Sequence, residues 1–207
     1  MTELEYLQSN VISLETDFER KKLKLAKNPL RELKKFTGLL NVGCGDQATG
    51  DVNCDFCVED TEQHRHSSIV TKLNLQAIKN FVLCDAQHLP FRDNVFETAF
   101  SSEVIEHVKN PFLMLRELGR VSKSKVIVEC PHILWERAFA CRSLHNWRWI
   151  KKHHLNHFNS RWFVREGAKI GLVVLSGERI HETFYPSYYF PLIRFPRSIR
   201  ITFKKMG

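Results

Sequence analysis

The 207-residue chain has room for one α/β domain with short extensions at its ends, and hardly for two. Its 43% hydrophobic and 26% charged residues fit a globular protein with a real core, and exclude a disordered or fibrous class. A net charge of +8 argues against a strongly acidic binding protein and leaves an anionic partner open.

No run in the sequence approaches the ~20 apolar residues of a membrane span. The start, Met-Thr-Glu-Leu-Glu, is acidic and lacks an apolar stretch behind it, which argues against a secretory signal. The cysteines are Cys44, Cys54, Cys57, Cys84, Cys130 and Cys141, and four of the six sit in or beside apolar runs. Free cysteine there behaves as a small buried hydrophobe, so a reduced, cytoplasmic protein is expected.

Along the chain, Leu4 to Lys35 has helical spacing, and residues 1–37 read as an N-terminal helical extension. A domain over 38–207 follows. Gly38 to Val42 reads as a buried strand running into Gly43-Cys44-Gly45. Further strands are predicted at Asp51–Phe56, Asn80–Cys84, Phe96–Phe100, Lys125–Cys130 and Leu172–Ser176, the last continuing toward Ile180. A seventh is predicted at Ile199–Phe203. A helical turn or two is expected at Ser102–Val108, then a helix capped by Asn110 with Pro111 at its first position and Phe112, Leu115 and Leu118 facing inward. Another helix is expected over Ser160–Ile170, capped by Asn159 or Ser160. Strands alternating with helices imply an α/β fold with a mostly parallel sheet.

A Gly-x-Gly loop after a first strand lets a ligand approach the backbone. Gly43 to Ala48 also fits the dinucleotide fingerprint Gly-x-Gly-x-x-Ala, so a dehydrogenase must be considered. That fingerprint needs the loop to open a helix, and here Thr49-Gly50-Asp51 leads almost at once into another strand. Asp55 closes the second strand, where a carboxylate can accept both ribose hydroxyls. Asp85 closes the third and can take an adenine amino group. A single aspartate at a strand end is commonly a turn former, but two on successive strands after a glycine loop point to a nucleoside.

Asn41 to Asp46, Cys84 to Phe91 and Phe96 to Val108 resemble the successive motifs of the methyltransferase type 11 family, a branch of the class I S-adenosylmethionine-dependent methyltransferases. The similarity spans about residues 38 to 175, and its third motif is the most specific. The resemblance implies a Rossmann-like, seven-stranded sheet flanked by helices, with S-adenosylmethionine across the strand ends. It places Gly43 and Gly45 at the methionine portion, Asp55 at the ribose, Asp85 and Ala86 at the adenine, and Ser101, Ser102 and Glu103 beside the sulfonium. Asn41 stands where the family usually has an acid toward the methionine amino group, and Glu97 replaces the usual aspartate of the fourth strand.

The segment 131–165 reads as a substrate-side insertion. His132 follows the fifth strand and is the first candidate for a general base, with His154 the second. His107 is expected to pack or cap. His153, His154 and His157 lack the short fixed spacing of a zinc site, and no metal ligands are assigned. Trp135, Trp147, Trp149 and Trp162 mixed with Arg137, Arg142 and Arg148 could stack bases or wall a pocket for a planar molecule. Basic clusters at 20–35, 142–152 and 194–205 could attract nucleic acid, an anionic metabolite or an acidic membrane surface, or simply solvate a helix face and a tail. No Asn-Pro-Pro-Tyr type motif follows the fourth strand, so a small-molecule acceptor is favoured over RNA or DNA. A non-catalytic cofactor-binding partner subunit is the remaining alternative.

Overall fold

The computed structural model describes residues 24–25, 38–45, 49–56, 78–184 and 194–206. Apolar runs buried from both sides make short parallel strands, and here they assemble one sheet. Its strands are β1 (Lys24–Leu25), β2 (Leu39–Val42), β3 (Val52–Asp55), β4 (Phe81–Leu83), β5 (Phe96–Ser102), β6 (Ser122–Pro131), β7 (Leu172–Phe184) and β8 (Arg194–Lys205). Their order is β1-β7-β8-β6-β5-β2-β3-β4. All neighbours pair in parallel except β8, which runs antiparallel between β6 and β7.

The expected seven-stranded, mostly parallel sheet is therefore present, with the two residues of β1 added at its edge. Lys24 and Leu25 fall in the stretch that reads as helical, yet they pair with Glu178 and Arg179. The rest of the 1–37 helical expectation lies outside the described residues. Two strands run further than their apolar cores suggest. β7 reaches Phe184 and β8 starts at Arg194, because each supplies the other with a long antiparallel ladder.

Between β5 and β6, α1 spans Pro111–Val121, with the Asn110 side chain accepting from the Leu113 N–H at 3.0 Å and Pro111 opening the helix. Leu115 and Leu118 are buried as expected, together with Met114 and Val121, whereas Phe112 is only half-buried. The helical spacing drifts round the axis, and Met114 takes the inward position. Two further helices, α2 (Ile133–Ala140) and α3 (Leu144–His153), fill the 131–165 segment as a hairpin. Finally α4 (Ser160–Ala168) is capped by Asn159, whose side chain accepts from Trp162 N–H at 3.0 Å.

Helix α1 also anchors the loop that follows β4. Glu117 accepts the Leu89 N–H at 2.9 Å, and Arg120 donates to the carbonyls of Leu89 and Phe91 at 3.0 and 2.8 Å. The two side chains are paired at 2.8 Å, and Arg120 also reaches Asp93. The Arg120 guanidinium holds the Glu117 carboxyl below its usual value of 4.5. A carboxyl whose pKa is lower in the folded chain stabilises it above that usual value, and the gain is lost as pH falls through the folded value. Glu117→Gln should therefore cost about 1–3 kcal/mol at neutral pH. In urea titrations at pH 7 and pH 4, its stability should fall less on acidification than the wild type's; parallel falls would contradict the clamp.

Candidate active site

The site is built at the carboxyl ends of β2, β3, β4 and β5. After Val42 the chain turns through Gly43 and Gly45, at φ +71° and +51°. Both the Gly43 and Cys44 N–H groups donate to the Cys54 carbonyl, at 2.8 and 3.0 Å. The two glycines serve different ends. A Cβ on Gly43 would lie 2.1 Å from Val104 Cγ2, so that space belongs to the turn after β5. A Cβ on Gly45 would meet nothing within 4 Å among the described residues, which leaves room there for a ligand to approach the backbone.

Asp55, buried at the end of β3, accepts the Gly45 N–H at 2.8 Å. This bond ties the glycine loop to the carboxylate expected at the ribose. Beyond β4, Asp85 holds its own turn, accepting from the Gln87 N–H at 2.8 Å and from the Gln87 side chain. Partial burial works against its charge, but these bonds and His88 outweigh it and hold the carboxyl below the ordinary range. Ala86 is buried beside it. Gln87 in turn accepts the Asn110 N–H at 2.8 Å, linking this turn to the start of α1.

Asn41, expected toward the methionine amino group, bonds within the connection that follows β2. It is buried in β2, and its amide donates to Thr49 Oγ1 at 2.9 Å and more distantly to Asn53. Asn53 holds Gly50 through both its amide atoms, at 2.9 and 3.0 Å. The pair thus secures the abbreviated connection between β2 and β3.

The floor forms where β5 ends. Ser101 Oγ donates to the Val42 carbonyl at 2.9 Å, and Ser102 Oγ to Glu129 at 2.8 Å. Glu129 is buried against Arg200 of β8. Glu103 adopts φ +55°, a left-handed conformation that costs a non-glycine residue energy. Its N–H bonds the Glu129 carbonyl at 3.0 Å and its carboxylate accepts from Ser198 at 2.8 Å. Burial raises its pKa, with Ser198 and Arg197 working the other way.

Toward the acceptor side, His132 caps α2, its Nδ1 accepting the Leu134 N–H at 3.2 Å. A neutral ring in that arrangement carries its proton on Nε2. His154 is buried, its Nδ1 against Glu136, whose other oxygen meets His157 Nδ1 at 2.8 Å. Beside them lies a cavity of about 460 Å³, lined among others by Glu136, Arg137, Trp147, Lys151, His154 and His157. The structure brings His154 near Glu106 and His107, and leaves His132 outside that group. Sequence reasoning missed Glu106, Glu129, Glu136, Ser198 and Arg200. Only Glu106 had a local signal, in the same motif as Glu103.

Residues 40–128 match the model of a family described as methyltransferase domain. The sheet has the fold of the class I methyltransferases. An S-adenosylmethionine-dependent methyltransferase of Thermotoga maritima shares the fold, at 16% identity, TM-score 0.59, over 86% of this chain and 87% of that one. So does a chain of the Haloferax volcanii complex between the Trm112 methyltransferase activator and a methyltransferase, at 12% identity, TM-score 0.58, over 96% and 95%. MJ0638, an uncharacterized protein of Methanocaldococcus jannaschii, is 31% identical over 123 residues, or 52% of this chain. The chain spans 50% of the length of that relative.

Such a domain implies S-adenosylmethionine as cofactor, and the residues present fit it. Among the described residues the strand ends offer a glycine backbone with space beside it at Gly45, a buried acceptor at Asp55 and a fixed turn at Asp85–Gln87. Replacing Asp55 by Ala should raise the Kd for S-adenosylhomocysteine at least about tenfold, the loss of roughly 1.4 kcal/mol. Calorimetry on the folded variant measures this, and an unchanged Kd would remove Asp55 from the site.

Proposed function

We propose that the protein transfers a methyl group from S-adenosylmethionine to a small-molecule acceptor bound beside α2 and α3. The observation that carries this reading is the cavity of about 460 Å³, at the low end of small-ligand pockets, walled by Trp147 with Arg137 and Lys151 at its edge. A planar or anionic acceptor suits that lining. Gly43 and Gly45 would receive the methionine portion, with Asn41 behind them holding the connection. Asp55 would take the ribose, Asp85 and Ala86 the adenine, and Ser101, Ser102 and Glu103 the reacting end.

When bound, the cofactor supplies a methyl group already activated by its cationic sulfur. The protein's work is then to align the acceptor and keep water out. A base is needed only for an acceptor whose proton leaves early. His132 remains the first candidate, though its capping bond leaves Nε2 as a donor, which favours orienting the acceptor over deprotonating it. His154, held by Glu136 at the cavity wall, is the second candidate and acts in this reading as a positioning group.

The reading places the protein in the cytoplasm. Cys54, Cys84, Cys130 and Cys141 are free thiols, as a reducing compartment would keep them. Among the described residues no helix is long and apolar enough to cross a membrane. The basic clusters keep an RNA or DNA acceptor as the alternative. A non-catalytic role as a cofactor-binding partner subunit is the other.

Labelled S-adenosylmethionine offered with a metabolite pool, and separately with RNA and DNA, should mark the small-molecule fraction. Label confined to nucleic acid would replace the acceptor class, and cofactor binding without any transfer would favour the partner subunit. With the acceptor in hand, His132→Ala should lower kcat/KM by about tenfold or more. Full activity in that variant would release His132 from any role.

A further inference from the structure

The turn after β5 packs against the end of α3. The Glu106 carbonyl accepts from the Leu155 and Asn156 N–H groups at 2.8 and 3.1 Å, and Asn156 Nδ2 donates to the Val108 carbonyl at 2.7 Å. This docking sets Glu106, His107 and His154 side by side, each offering one ligand atom within 4.8 Å of the others. The His107 and His154 rings meet edge to face, with centroids 5.0 Å apart.

Glu106 is 1% exposed, and neither carboxylate oxygen has a hydrogen-bond partner among the described residues. His107 Nε2 lies 3.7 Å from one of these oxygens, beyond hydrogen-bonding distance. A buried carboxylate without a partner is costly, and the cost is relieved by protonation or by a cation. Burial does raise its pKa, as do Glu103 and Glu136 nearby.

The two histidines separate those outcomes. His107 Nδ1 lies 2.6 Å from the His153 carbonyl, and His154 Nδ1 bonds Glu136. A carbonyl or carboxylate on Nδ1 fixes the proton there and leaves Nε2 as the nitrogen able to coordinate. That pairing is the usual outer support of a metal-bound histidine, one ring held by a backbone carbonyl and the other by a carboxylate. Glu136 is itself steadied by His157 at 2.8 Å.

We propose that Glu106, His107 and His154 bind a divalent first-row transition cation through one carboxylate oxygen and two imidazole nitrogens. Two imidazoles with a carboxylate suit Zn²⁺, Mn²⁺ or Fe²⁺ better than Mg²⁺, which takes mostly oxygen. Three protein ligands leave a position open to water or to a ligand atom. His154 also lines the cavity, so the cation would sit behind its wall. The site stands apart from the methyl-transfer reading, since it needs neither the cofactor nor turnover.

The test uses untagged full chain stripped by chelator, then titrated separately with Zn²⁺, Mn²⁺ and Mg²⁺ by calorimetry and metal analysis. One transition cation per chain is expected, bound at least about tenfold more weakly by Glu106→Gln and by His107→Gln. Circular dichroism of the same samples reports folding, and failure of a folded sample to bind S-adenosylhomocysteine would bear on the cofactor reading alone. Wild-type protein that takes up no cation overturns the proposal, as does equal affinity in folded variants. Should either variant not fold, anomalous scattering from a wild-type crystal soaked with Zn²⁺ decides. A peak between Glu106, His107 and His154 supports the site, and a peak elsewhere overturns it.

Discussion

The close approach of Val104 to Gly43 is the constraint on which the site depends. A methyl of Val104 occupies the place where any other residue at position 43 would put its Cβ, 2.1 Å away. That contact folds the turn after β5 over the end of β2. It brings Glu103, Glu106 and His107 up to the strand ends, within reach of the residues on β6, β8 and α3. The strain of Glu103 at φ +55° belongs to the same arrangement. Its backbone and side chain are both held, by Glu129 and Ser198, so the conformation is fixed from two other strands.

Electrostatics under this turn follow one pattern. Four glutamates, at 103, 106, 129 and 136, converge from β5, β6 and α2, and three have a polar or cationic partner. Glu129 has Arg200 and Ser102, Glu136 has His154 and His157, and Glu103 has Ser198. Buried acids in such a setting persist because each is bonded. Among the described residues Glu106 departs from the pattern, and that departure gives the turn its chemical interest.

Much of the fold around the ends of β2 to β5 was legible in the sequence because its signals are local. Gly43 and Gly45, the acids closing β3 and following β4, and the Asn110-Pro111 helix start each lie within a few residues of the element they define. Asn41 was read for its place in a motif, and its bonds to Thr49 and Asn53 follow from the short β2–β3 connection, which the motif does not describe. The α2–α3 hairpin gave only aromatic and basic composition. Its two helices meet edge to face through Phe139 and Trp149, ring centroids 6.5 Å apart, a contact between residues ten apart that no single-helix stripe announces. The Glu106–His107–His154 grouping was out of reach for a different reason. Its members are joined by the docking of two distant turns, and spacing rules for metal ligands see only neighbours in sequence. β7 and β8 outran their apolar cores because ladder pairing, not side-chain pattern, extends them.

The central proposal is geometric: that a bound nucleoside would lie across the ends of β2, β3 and β4, on Gly45, Asp55 and the Asp85 turn. A crystal structure of the complex with S-adenosylhomocysteine tests it most directly. The account predicts the ribose hydroxyls on the Asp55 carboxylate, the adenine beside Asp85 and Ala86, and the amino-acid end over Gly45. Ligand density anywhere else, or a glycine loop closed against Asp55 with no ligand beside it at saturating concentration, would contradict it.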